Sequence, residues 1–209
     1  MVKLQVAIDL LKIEDAIALA TKVAPYIDII ELGTPLIKSE GLSGIRKMKD
    51  AFPDKLVLAD FKTADAGELE ADMAFGAGAD YITILGATGD STIAGAVKSA
   101  KAHGKGIVVD TIGVKDRVKR AQEAIALGAE FVELHAGLDE QSEEGYSIQV
   151  LIEEAKRAGV SVSIAGGVNL SIITAVKESG VTVAVAGAAI YGAEDPAKAA
   201  KELKELLLA

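Results

Sequence analysis

Cysteine is missing from all 209 residues. Its absence removes disulfides, thiolate metal ligands and a thiol nucleophile together. It also fits a reducing compartment, and Met1–Leu10, which already contains Asp9, has no apolar stretch of signal-peptide length, so the expectation is a cytoplasmic protein. Tryptophan is absent and aromatics make up only 4% of the chain, so a core has to be assembled from Val, Ile, Leu and Ala. No apolar run approaches the roughly 20 residues of a membrane span. The acidic balance, a formal charge of −9, opposes binding to nucleic acid or to an anionic membrane. Histidine occurs twice, which makes a zinc site unpromising.

What is present is a repeating pattern. Half the residues are hydrophobic, enough for a large core. Short β-branched runs recur at Leu4–Ile8, Ile27–Ile30, Leu56–Leu58, Tyr81–Leu85, Gly106–Val109, Phe131–Leu134, Ser161–Ile164 and Val181–Val185. Amphipathic helical stretches separate them, among them Ile13–Val23, Gly41–Ala51, Thr92–Ala102 and Pro196–Leu208. Strict alternation of this kind predicts parallel βα units. Gly78, Gly104, Gly128, Gly159 and Gly180 each stand where a helix ends shortly before a strand, as left-handed helix caps do. No linker or composition break divides the chain. The expectation is an α/β protein, a single (β/α)8 TIM barrel over residues 1–209, with an open doubly wound sheet as the alternative.

In such a barrel the C-terminal strand ends carry the chemistry. Read in order, those ends hold Asp9, Glu31, Asp60 with Lys62, Asp110, His135, the pair Gly166 and Gly167, and Gly187. In Val57-Leu58-Ala59-Asp60-Phe61-Lys62 an apolar strand turns charged, and period-two alternation puts Asp60 and Lys62 on one side. Four carboxylates at one mouth repel one another unless a cation intervenes. Oxygen ligands favour Mg²⁺, or Mn²⁺, with Glu31 and Asp60 the first choice of ligands and Asp9 in support. Gly166, Gly167, Gly187 and Ala188 stand in the loops after strands seven and eight, where backbone N–H groups can hold a phosphate. His135 ends a strand and suits proton transfer. His103, beside a helix-terminal glycine, simply suits the helix dipole.

The motif Asp60-Phe61-Lys62-Thr63-Ala64-Asp65 resembles the D-x-K-x-x-D signature of the orotidine 5′-monophosphate decarboxylase superfamily. The segments Gln5–Leu10, Ile29–Ile37, Asp65–Glu68, His135–Gln141 and Ala186–Gly192 extend the likeness over nearly the whole chain and are similar to the 3-hexulose-6-phosphate synthase family within it. The resemblance implies Mg²⁺-dependent aldol addition of formaldehyde to D-ribulose 5-phosphate, with Glu31 and Asp60 holding the metal and Lys62 beside the reacting carbons. It also implies a homodimer with shared active sites, in which Asp65 reaches the neighbouring subunit's site. The sister 3-keto-L-gulonate-6-phosphate decarboxylases carry Arg where this chain has Leu138 and Ala188. Leu138 argues for the synthase; Ala188 stands where synthases often have Gly, and it leaves no nearby cation for the phosphate.

The expected chemistry follows from these residues. His135 removes the C1 proton, Lys62 holds the negative charge that develops, and Asp110 orients a sugar hydroxyl. Three rival readings are a decarboxylase that shares the enediolate, an imine-forming aldolase using Lys62 as nucleophile, and a non-catalytic phosphosugar-binding barrel. Asp60 and Asp65 flanking Lys62 favour its protonated form and so disfavour the imine route.

Overall fold

A computed structural model describes residues 1–209. Eight strands, β1 (Lys3–Ile8), β2 (Ile29–Leu32), β3 (Leu56–Thr63), β4 (Tyr81–Leu85), β5 (Gly106–Asp110), β6 (Phe131–His135), β7 (Val162–Ala165) and β8 (Val183–Ala186), pair in chain order and close on themselves. Each neighbouring pair is parallel, β8 against β1 included. The closed order excludes the open sheet. The helices are α1 (Ile13–Val23), α2 (Thr34–Ala51), α3 (Gly67–Gly76), α4 (Asp90–His103), α5 (Arg117–Leu127), α6 (Leu138–Gln141), α7 (Gln149–Ala158), α8 (Ile173–Glu178), α9 (Ala188–Tyr191) and α10 (Pro196–Leu208). None is long and apolar enough to cross a membrane.

The strand pleat decides where chemistry can stand. Outward-facing strand residues such as Val6, Ile30, Val57, Ile82 and Val109 join the helices in one large buried cluster. Inward-facing Ile29, Leu58, Val108, Phe131 and Val183 form a second, smaller apolar cluster inside the barrel. Two residues further along each of those strands come Glu31, Asp60, Asp110, Glu133 and Val185. Period two keeps them on the same interior face, one pleat nearer the C-terminal mouth. An apolar plug therefore underlies a layer of acids.

Several boundaries differ from the sequence reading. β2 begins at Ile29 because the chain first makes a tight turn through Ala24–Tyr26. Glu31 consequently lies inside the strand and not at its end. α2 starts at Thr34, with Pro35 in its first turn, and kinks at Gly41 (φ +61°). The helical pattern beginning at Gly41 captured only the second half. β3 runs on to Thr63 through an irregular register. All five inter-element glycines named above take positive φ.

At the N-terminal face two acids, Asp28 and Asp80, are paired with lysines and backbone N–H groups. Asp28 Oδ2 accepts from the Leu4 N–H at 2.7 Å and from Lys204 Nζ at 2.6 Å. Asp80 accepts from Lys49 Nζ (2.8 Å), Lys105 Nζ (2.5 Å) and the Val57 N–H (2.9 Å). It thereby ties α2, β3 and the start of β5 to the foot of β4. Asp80→Ala leaves a buried N–H without a partner and should lower stability by about 2 kcal/mol. Turnover at the opposite end should be unaffected; denaturant melts and steady-state rates on one preparation check both.

Candidate active site

Lys62 is the centre of the mouth. Its Nζ lies 2.7 Å from Asp60 Oδ2 and 3.0 Å from Asp110 Oδ2. Burial alone would favour the neutral amine, but the charges of Asp60 and Asp110 outweigh it and raise the Lys62 pKa. The side chain is a fixed cation. Asp60 is held from three more directions: Thr34 Oγ1 and N–H donate to Oδ2 at 2.6 and 3.2 Å, and Thr83 Oγ1 donates to Oδ1 at 2.7 Å.

Asp110 has no solvent exposure. Inside the mouth it is bonded to other side chains and to the backbone. Its oxygens lie 2.9 and 3.1 Å from His135 Nδ1, and Oδ1 also accepts from the Ile112 N–H at 2.8 Å. Burial pushes the Asp110 carboxyl up, but the imidazole, Lys62 and the Ile112 N–H together bring it down to about 2. A carboxylate beside Nδ1 requires the proton there, so Nε2 is left as the basic nitrogen. His135 lines the cavity.

Glu31 and Glu133 carry the cost of this crowding. Glu31 is pushed from 4.5 up to about 8 by burial and then by Asp60, although Gln5 Nε2 donates to its Oε2 at 2.7 Å. Glu133 lies 3.5 Å from His135 Nδ1, and burial with the charges of Glu31 and Asp110 raises it as well. Asp9 is raised by burial first and then by Asp60. It packs so closely on Gly33 that a Cβ there would sit 2.0 Å from its Oδ1. Sequence reasoning missed Glu133, Thr34, Thr83 and Gln5. Glu133 was within reach, because alternation from His135 puts it on the same inward face. Thr34, Thr83 and Gln5 carry no signal without the packing.

The mouth opens into a cavity of about 960 Å³ walled by Asp9, Glu31, Asp60, Lys62, Glu133 and His135 on one side. Gly166, Gly167, Gly187 and Ala188 wall the other side. Gly166 and Gly167 have φ of +112° and +86°, and a Cβ at Gly166 would lie 2.5 Å from the Ala136 carbonyl oxygen. Lys62 is the sole Lys or Arg in the wall. Leu138, on α6, lines the cavity and is 70% exposed. Asp65 is not brought in: it is exposed on the loop after β3, outside the cavity wall.

The donor set fits a hard divalent cation. Glu31 and Asp60 bring two carboxylates to the cavity, and Gln5 Oε1 and Glu133 Oε2 are buried without a hydrogen-bond partner. A dication would answer the burial and the Asp60 charge that raise Glu31. Asp110, Glu133 and His135 also bring ligand atoms within 4.8 Å of one another, but Lys62 and the imidazole proton already serve Asp110.

Fold and site together define a (β/α)8-barrel enzyme with a lysine-centred acidic mouth. The orotidine 5′-phosphate decarboxylase / HUMPS family model matches residues 2–203, and the chain belongs to that family. It is 63% identical over 202 residues to the 3-hexulose-6-phosphate synthase of Mycobacterium gastri, covering 97% of this chain and 98% of that one. A crystal structure of a 3-hexulose-6-phosphate synthase superposes with a TM-score of 0.96 at 63% identity, covering 98% of this chain and 99% of the other. The 3-keto-L-gulonate-6-phosphate decarboxylase of Vibrio cholerae superposes with a TM-score of 0.83 at 29% identity, covering 99% and 97%.

The raised Glu31 gives a prediction for the metal-free protein. Between 4.5 and about 8 the folded chain binds a proton that the unfolded chain has lost. Stability therefore falls as pH rises through that window. The Asp110 shift has the opposite sign, but its window lies below 3.8 and does not interfere. In chelator, the melting temperature should drop from pH 5 to pH 8.5, and less steeply in Glu31→Gln. Equal slopes would show that Glu31 does not carry the burden.

Proposed function

We propose that the chain is an aldehyde-lyase that adds formaldehyde to D-ribulose 5-phosphate, giving D-arabino-hex-3-ulose 6-phosphate. The observation that carries this reading is the 63% identity, across nearly the whole chain, to a 3-hexulose-6-phosphate synthase. The sister decarboxylases share the fold at a lower identity, 29% in the Vibrio cholerae case. Their two arginine positions are Leu138 and Ala188 here. The glycine loops facing the acid layer across the cavity support a phosphosugar in this mouth.

Each residue has a task. The backbone N–H groups at Gly166, Gly167, Gly187 and Ala188 hold the phosphate and anchor the sugar, so binding energy remote from the reacting carbons orients it. Glu31 and Asp60, with Asp9 nearby, would hold Mg²⁺ or Mn²⁺, which when bound supplies electrostatic stabilisation of negative charge on the C1 and C2 oxygens. His135 Nε2 takes the C1 proton, with Asp110 fixing the ring and balancing the imidazolium. The Lys62 ammonium faces the enediolate charge. C1 then bonds to the formaldehyde carbon, the C=O π pair moves onto oxygen, and the imidazolium returns its proton to that alkoxide. A lysine held as a cation by two carboxylates is a poor imine nucleophile.

Two experiments test this reading. Formaldehyde consumption with ribulose 5-phosphate should stop on chelation and return with Mg²⁺. Full turnover in metal-free buffer, with borohydride trapping an adduct on Lys62, would overturn the metal-enediolate route.

The second concerns a shared site in a homodimer. Asp65 lies outside its own chain's mouth, and just beyond it Leu69 and Met73 on α3 are 62% and 43% exposed, apolar surface that a partner would cover. Two-fold symmetry makes sharing reciprocal. Asp65→Asn and Glu31→Gln should each be nearly inactive alone. Reassorted together, about half the dimers are mixed, each with one intact site in two, so about a quarter of wild-type activity should return. No recovery, with mixed dimers confirmed by native mass spectrometry, rules out sharing.

A further inference from the structure

β3 and β4 pair regularly at Leu58 with Tyr81 and Ala59 with Ile82, and the next pair is Thr63 with Ile84. Between those pairs β3 has three residues, Asp60, Phe61 and Lys62, and β4 has only Thr83, a bulge with two extra residues. Its tightest point is Lys62, whose φ of +50° is rare outside glycine and asparagine. In a regular strand Lys62 would continue toward the mouth at about 3.3 Å per residue. The bulge instead draws it back to Asp60, and Nζ reaches the carboxylate at 2.7 Å.

One side chain spans this bulge. The Lys62 N–H has Thr83 Oγ1 as its acceptor at 2.9 Å, in place of a β4 carbonyl. The Thr83 hydroxyl donates in turn to Asp60 Oδ1 at 2.7 Å. The direction of both bonds is fixed by chemistry. A hydroxyl has one proton, an ionised carboxylate only accepts, and an amide N–H only donates. Thr83 is completely buried, so no solvent can take over either bond. Alanine or valine at this position would leave a strained, left-handed backbone amide without an acceptor beside the two residues that carry the chemistry.

We propose that Thr83 is a positioning residue: its hydroxyl locks the β3 bulge and so aims Asp60 and Lys62 at one point in the mouth. The assignment rests on the reading of Asp60 as metal ligand and Lys62 as the site's cation. Thr83 does not line the cavity and acts on substrate only through those two side chains. Thr34 and Lys62 still hold Asp60 Oδ2, but without the hydroxyl β3 loses the one side chain bonded to both Asp60 and the Lys62 amide, and a shift of register there swings side chains away from the face they serve. The phosphate loops, after β7 and β8, lie on other strands and should be untouched.

The test uses Thr83→Val, which keeps the branched shape, and Thr83→Ser, which keeps the hydroxyl. Thr83→Val should lose about 100-fold in kcat, the scale of an ångström-level misplacement, with little change in the KM for ribulose 5-phosphate. Exchange of the Lys62 amide proton, followed by NMR, should accelerate by about tenfold, as expected for one lost hydrogen bond. Thr83→Ser should recover most of both. Should Thr83→Val fail to fold, Thr83→Ala removes the same hydroxyl without crowding and is read in the same way. Wild-type kcat together with a protected Lys62 amide in the hydroxyl-free variant overturns the proposal. So does a serine variant as impaired as the valine one. If the wild-type protein itself does not turn over formaldehyde and ribulose 5-phosphate, the functional reading fails, and the Lys62 amide still reports on Thr83.

Discussion

The ammonium of Lys62, 2.7 Å from Asp60 and 3.0 Å from Asp110, is the contact on which the mouth depends. Five acids, Asp9, Glu31, Asp60, Asp110 and Glu133, stand around one buried layer. At an effective dielectric near 20, like charges 4 Å apart repel by roughly 4 kcal/mol. Lys62 relieves the two acids it touches and leaves Glu31 and Glu133 to take up protons or a metal. The same two carboxylates hold the amine charged. One pair of contacts thus stabilises the layer, removes Lys62 as a nucleophile, and leaves unfilled demand for positive charge where Glu31 faces the cavity.

The two ends of the barrel use the same residue types for opposite purposes. At the N-terminal face Asp28 and Asp80 each find a lysine and a backbone N–H, and charge there serves stability. Toward the C-terminal face Glu133 Oε2 has no partner, nor has Oε1 of Gln5, which stands level with Ile29 below Glu31, and Glu31 sits far above the usual carboxylate range. The pleat is what allows this, because the acids rest directly on Ile29, Leu58, Val108 and Phe131. Water cannot enter from below to satisfy them. Marginal stability at the mouth is set against secure packing beneath it.

Much of this was legible in the residues, for identifiable reasons. The alternation of β-branched runs with helical stretches, and glycines at five helix ends, express backbone rules that act locally. Asp60, Lys62, Asp110 and His135 were visible because a charge closing an apolar strand is conspicuous. Glu31 was found but placed at a strand end, since nothing in its neighbourhood reveals that the turn at Ala24–Tyr26 delays β2. Glu133 was overlooked because it sits between Val132 and Leu134 and reads as strand interior. Thr83 gave no signal at all. Threonine is a common strand residue, and its significance comes from a bulge on the neighbouring strand that only the paired register exposes.

The distribution of acid around the barrel also bears on how an anionic substrate could be accepted by a chain of net charge −9. The mouth carboxylates come from β2, β3, β5 and β6 and from Asp9 just past β1. β7 and β8 contribute Ala165 and Val185 at the cavity wall. The glycine loops proposed to hold the phosphate follow those two uncharged strands. On the proposed reading, a phosphate on that side would be separated from the carboxylates by the length of the sugar, and oriented backbone N–H groups would stand in for a cation. The reacting end would then fall beside Lys62, the single Lys or Arg of the wall. Had Ala188 been an arginine, a second fixed positive charge would pull on the substrate from the phosphate end. With alanine there, Lys62 is the one fixed positive side chain in the cavity wall.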